Sequence, residues 1–224
     1  MFIDHVNVKI FAQTPVTIDL GDAIPVFHHW IQEPSSEELA HNKLASSGQV
    51  HRVPPLFGAA SSGLCALEEL LIDVADYRHV PAGPGVLLIG HEANYSLDCT
   101  FDKLGILYNR KRGFEGSVQD KLLKSFGAAL TAASRLENEP PFRGKLKFDA
   151  GQVEVIVNDR LLAPNTEETW SALQPEFSKF FDGLYGPDFY TLERVGEPRE
   201  RFRVQAQTPT IVEVSSLFGA FAAV

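Results

Sequence analysis

The chain is expected to fold as an α+β protein, a mixed and mainly antiparallel sheet carrying three to four packed helices. Two patterns predict this. Short alternating stretches follow one another with Pro/Gly-rich turns between them, as the strands of a meander do. Other segments repeat apolar residues at steps of three and four, the period of a helix with one buried face. The helices are interspersed among runs of strands instead of alternating strictly with them, which disfavours a doubly wound parallel sheet. The simplest organisation is a single globular domain over 1–224. Its alternative is a pseudo-repeat of halves 1–112 and 113–224, each a ferredoxin-like split βαβ unit.

The first strand places Val6, Val8 and Ile10 on one side and Asn7, Lys9 and Phe11 on the other, so one face is buried. Asp22 then reads as an N-cap, with Ile24, Phe27, Trp30 and Ile31 at helical spacing and Pro25 tolerated in the first turn. Glu33-Pro34 ends that helix. Residues 35–63 are rich in Ser, Ala, Gly and Pro without a clear period, the composition of a long loop, and a helix-like patch follows over 64–71.

Three strands are expected next, over 73–79, 85–97 and 104–110, with Pro81-Ala82-Gly83-Pro84 turning the chain between the first two. Ser117 and Asp120 form a capping pair ahead of Val118, Leu122, Phe126, Ala129, Ala133 and Leu136, the clearest amphipathic helix in the chain. A hairpin is expected from 145–148 and 152–158 across Asp149-Ala150-Gly151. A helix beginning near Asn165 carries Trp170, Leu173, Phe177, Phe180, Phe181 and Leu184 and meets Pro175 midway. Strands over 189–195 and 201–207 close the sheet.

Composition bounds the function. The 224 residues carry a formal charge of −9, split between 13 acids and 8 bases in 1–112 and 16 and 12 in 113–224. Neither half has the basic balance of a phosphate-backbone binder, so no nucleic-acid partner is expected. Cys65 and Cys99 are too few for a disulfide framework or a thiolate zinc site and suit a reducing cytosol, so a cytoplasmic location is expected. No run approaches the length of a membrane span, and no membrane association is expected. Neither a G-x-G-x-x-G nor a Walker pattern is present, and Gly83-Pro84-Gly85 leads into a strand and not a helix N-terminus, so no nucleotide cofactor is expected.

All seven histidines lie in the first 91 residues, which directs the search for chemistry to the N-terminal half. The candidate ligand-binding residues are Asp76, Tyr77, His79, His91, Glu92 and Tyr95, the densest mixture of acid, imidazole and phenol in the chain. If their strands pair, His79 and His91 approach each other. His28, His29 and His91 are the candidate ligands of a divalent metal, which needs three or four converging donors. The competing account is ordinary: a hydrogen-bonded histidine in a sheet and a solvated carboxylate. His91-Glu92-Ala93-Asn94-Tyr95 is not a zinc protease motif, because Tyr95 stands where the second histidine belongs and the segment follows a strand. Ser61 and Ser62 in Ala59-Ala60-Ser61-Ser62-Gly63 fit a loop better than a nucleophile elbow, since Pro54-Pro55 spoils the strand that would precede it.

Lys145 and Lys147, and Arg199, Arg201 and Arg203, alternate and so share strand faces. With Arg110, Lys111 and Arg112 they could form an anion-binding surface, or they could be paired across strands by Glu154, Glu193 and Glu200. The tail from Val214 to Val224 carries no charge and is expected to dock on its own core or on a second copy in a homodimer. Because no nucleophile, cofactor loop or complete ligand set is legible, the expected function is small-ligand binding or assembly without catalysis. A metal-dependent, hydrolase-like enzyme using the His, Glu and Asp residues of the N-terminal half is the alternative.

Overall fold

The computed structural model describes residues 3–33, 67, 69–113 and 115–221. In chain order the described elements are β1 (Val6–Ala12), α1 (Ala23–Gln32), β2 (Leu71–Tyr77), β3 (Gly85–Gly90), β4 (Ala93–Asp98) and β5 (Gly105–Arg110). There follow α2 (Val118–Asn138), β6 (Phe148–Val157), α3 (Glu167–Tyr185), β7 (Thr191–Val195), β8 (Phe202–Gln207) and α4 (Val214–Phe221). The eight strands make one sheet in the order β2-β3-β4-β5-β1-β6-β8-β7, and every neighbouring pair is antiparallel.

Strand alternation divides the sheet into two unlike faces. One transverse row reads Leu88, Tyr95, Tyr108, Val8, Val155 and Val204. These residues are at most 4 % exposed and join one apolar cluster with Phe27 and Trp30 of α1, Leu122 and Phe126 of α2, Phe177 and Phe181 of α3, and Val214 and Leu217 of α4. The four helices therefore cover this face. The adjacent row reads Leu87, Ser96, Leu107, Lys9, Glu154 and Gln205. It lies on the opposite face, where no described helix packs.

Local chemistry fixes the helix ends. Ser117 Oγ accepts from the Asp120 backbone N–H and Asp120 returns a bond to the Ser117 backbone, a complete capping box. Thr166, one residue past the expected Asn165, caps α3, which passes through Pro175 unbroken. The Asp22 side chain makes no cap bond; Asp19 instead accepts from Gly21 N at 2.8 Å and caps a short 3-10 turn ahead of α1. Val214 and Leu217 are buried on the protein's own core, which withholds both from a second copy.

Two expected elements are corrected. The segment 85–97 is two strands, not one, turning at His91-Glu92. Neither residue takes the positive φ of the usual two-residue hairpin turns; the Glu69 carboxylate holds the turn from outside, accepting from Glu92 N at 3.1 Å and Ala93 N at 2.9 Å. The expected hairpin at 145–158 is instead the single strand β6, with a register shift that leaves Phe11 opposite Asp149 and Ile10 opposite Val153. Asp149 Oδ1 accepts from Gly151 N and Val212 N and closes that bulge.

The long segment 35–63 and nearly all of the helix-like patch 64–71 lie outside the described residues; Leu71 opens β2. A repeated ferredoxin-like unit is not confirmed among the described residues. In the second half, β6 and β7 are joined through α3 with β8 alone between them, whereas in the first, three strands separate β1 from β2.

Candidate functional site

The face without helices carries a hollow of about 380 Å³ centred on β1, β6 and β8. Its floor is a buried charge network. Lys9, 3 % exposed, donates to Asp98 Oδ1 at 2.5 Å and to the Lys103 carbonyl at 2.6 Å. Asp98 also accepts from Thr100 Oγ1 at 2.7 Å and Thr100 N at 3.2 Å, so both partners are saturated. Glu154, 4 % exposed, accepts from Gln205 Nε2 at 2.8 Å and faces Arg203 Nη1 at 3.5 Å. Arg203 donates to Glu200 at 2.8 Å.

The loop between β4 and β5 is pinned by Lys9 and holds Phe101 over the Arg203 guanidinium, 4.5 Å from ring centroid to the central carbon. Phe101 and Asp102 both take left-handed backbone, with φ of 61° and 56°, an arrangement that costs energy in non-glycine residues and gathers at functional sites. Phe101 remains 57 % exposed despite its stack. Across the hollow, Gly196 has φ 92°, and a side chain there would meet Arg203 Nη2 at 2.8 Å. Glycine at this turn thus satisfies the backbone and leaves room for the Arg203–Glu200 pair.

The charges do not cancel. Six cations border the hollow against the three carboxylates Asp98, Glu154 and Glu200. Lys9 and Arg203 use those carboxylates, whereas Lys103, Arg160, Arg199 and Arg201 have no carboxylate within ion-pair distance among the described residues. Arg201 is half-buried and donates to the neutral Asn158 Oδ1 at 2.9 Å. Burial, then the neighbouring Arg160 and Arg203, push its guanidinium below the usual arginine range. The arrangement is a concave, net positive surface in an acidic chain.

The expected site residues are dispersed. Asp76 and Tyr77 lie on the edge strand β2, where Arg78 grips Asp76 through two bonds of 2.9 and 2.8 Å and holds its carboxyl down to about 2. Tyr77 stacks on His79, with centroids 6.1 Å apart. Tyr77 pairs with Gly85 at one end of the β2–β3 hairpin, and Leu71 with Gly90 at the other. His79 and His91 therefore sit at opposite ends, roughly 17 Å apart by strand rise, and do not approach as strand pairing suggested.

Glu92 accepts from Arg110 Nη2 at 2.6 Å. Tyr95 points to the helix face, edge-on to Tyr108 at 5.3 Å, and burial followed by the Glu69 charge pushes its phenol well above the usual range. His28 and His29 are exposed on α1, the latter 3.7 Å from Glu33. Among the described residues no group of three or more His, Cys, Asp or Glu is placed to hold a metal ion.

The basic residues noted in the sequence also separate. Arg110 and Arg112 pair with Glu92, and Lys111 donates to the Gly90 carbonyl, all at the β3–β4 turn. Lys147 pairs with Glu137 at 2.8 Å. Arg199, Arg201 and Arg203 do border the hollow together; of the three, Arg203 is the one that pairs with Glu154 and Glu200. Sequence reading missed Lys9, Asp98 and Arg160. The one available signal was Lys9 itself, a charge on the strand whose neighbours Val8 and Ile10 are core. Among the described residues no helix is long and apolar enough to cross a membrane. Comparison with protein-family models, with curated proteins and with solved structures gives no match.

Proposed function

We propose that the open sheet face binds a small anionic ligand, a phosphate or carboxylate, and does so without catalysing a reaction on it. One observation carries this reading: four cations without carboxylate partners converge on one hollow, net positive by three, in a chain of net charge −9. Clustering like charges costs repulsion, which an anion relieves through charge-assisted hydrogen bonds. Arg201 is the centre of the reading, because its side chain is half-buried and its hydrogen-bond partner is neutral. The groups best suited to move a proton, Lys9, Asp98 and Glu154, are committed to internal partners, which supports binding over catalysis. A cytoplasmic setting accords with the cysteine usage, Cys99 being a free thiol.

Isothermal titration with inorganic phosphate and with pyrophosphate tests the proposal. The expected result is binding that weakens with added salt and falls about tenfold or more in Arg201→Ala. Equal binding by wild type and Arg201→Ala, or no binding of either anion by wild type, overturns it.

A further inference from the structure

We infer that the ligand is bipartite, an anionic group joined to a neutral hydroxyl-bearing body such as a sugar, and that the body lies in a second hollow beside the first. This inference rests on the anion-binding reading. The second hollow, about 220 Å³, adjoins the first: Phe11, Lys103 and Gln205 border both. Together the two reach the size of ordinary small-molecule sites, which the second alone does not.

Its chemistry differs from that of the first hollow. Among the described residues Lys103 and Asp102 are its only charged lining residues and they cancel, so it offers no net attraction to an anion. Its polar lining is instead a set of amides. Gln152 on β6 stands directly opposite Gln207 on β8, and Gln205 lies two residues back on the same face. A side-chain amide presents both a donor and an acceptor, the complement of a hydroxyl.

The Gln152 and Gln207 side chains are exposed and have no hydrogen-bond partner among the described residues, whereas Gln205 turns its nitrogen to Glu154 and so presents its oxygen. Phe11 supplies an apolar wall between the hollows; its ring faces the Lys9 and Lys103 ammonium groups at 5.3 and 5.8 Å. A ligand whose anion meets Arg201 therefore finds, across Phe11, a neutral surface able to exchange hydrogen bonds with hydroxyls.

The probes are inorganic phosphate, ribose 5-phosphate and free ribose, titrated into the whole chain and into the double variant Gln152→Ala/Gln207→Ala. Both positions are exposed, so the variant keeps its fold; its unfolding midpoint provides the check. The inference expects ribose 5-phosphate to bind wild type at least tenfold more tightly than phosphate, and the double variant to lose that gain while binding phosphate as wild type does. Ribose 5-phosphate no tighter than phosphate, or a gain that survives in the variant, overturns the bipartite ligand and leaves the anion site standing. Failure of both phosphate and ribose 5-phosphate to bind overturns both.

Discussion

Lys9 Nζ lies 2.5 Å from Asp98 Oδ1 with both side chains buried, and the same ammonium donates to the Lys103 carbonyl at 2.6 Å. The pair thus joins the central strand β1 to the loop that carries Phe101. Its charge is neutralised internally, so it shapes the hollow and leaves the proposed ligand to the peripheral arginines. Removing one partner strands a buried charge. Lys9→Met is expected to destabilise the protein by about 3–5 kcal/mol, and Lys9→Met/Asp98→Asn by less than the sum of the single changes, because the second substitution removes the stranded charge. Urea unfolding of the four proteins in this cycle measures the coupling.

Asp159 ties the start of the described chain to the sheet. It accepts from Asp4 N at 2.7 Å, His5 N at 2.9 Å and His5 Nδ1 at 2.8 Å. Burial works to raise its carboxyl, but the bonds from His5 and Asp4 prevail and hold it below the usual range. A carboxyl depressed in the folded state contributes stability above its unfolded pKa, about 3.9, and loses it as pH falls through the folded value. Asp159→Asn is expected to cost about 1–2 kcal/mol at neutral pH, with the difference from wild type shrinking below about pH 4. Urea midpoints across a pH series read this out.

The helix face holds the apolar core. Phe126 is fully buried and edge-on to Phe180 at 5.8 Å, so Phe126→Ala is expected to cost about 3–5 kcal/mol. Ser117→Ala removes the cap of α2 and is expected to cost about 1 kcal/mol. Leu161, 94 % exposed, is expected to tolerate Ala within about 0.5 kcal/mol. Denaturant midpoints at unchanged slope rank the three.

The parts of the fold legible in the sequence are those written in local periodicity. Val6, Val8 and Ile10 announced a strand, and Ser117 with Asp120 announced a capped helix; both elements stand in the structure, although β1 also buries Asn7 and Lys9 on the face expected to be open. The hairpin at His91-Glu92 was not legible because its turn is held by Glu69, more than twenty residues upstream, and not by turn residues of its own. The β6 bulge was hidden likewise, since Asp149 closes it by reaching Val212. The proposed anion site was half legible. Alternation put Arg199, Arg201 and Arg203 on one face, but only strand order brings Lys9, Asp98 and Glu154 beneath them. The histidine clustering misdirected the search, because proximity in sequence put His79 and His91 at opposite ends of one hairpin.

Whether anions bind over the open face at Arg201 is read directly from crystals soaked in tungstate. An anomalous peak is expected within hydrogen-bonding reach of the Arg201 guanidinium, together with Arg160 or Arg199, and is expected to be absent from Arg201→Ala crystals. Peaks confined to other surfaces, with the hollow empty in wild type, would contradict anion binding there.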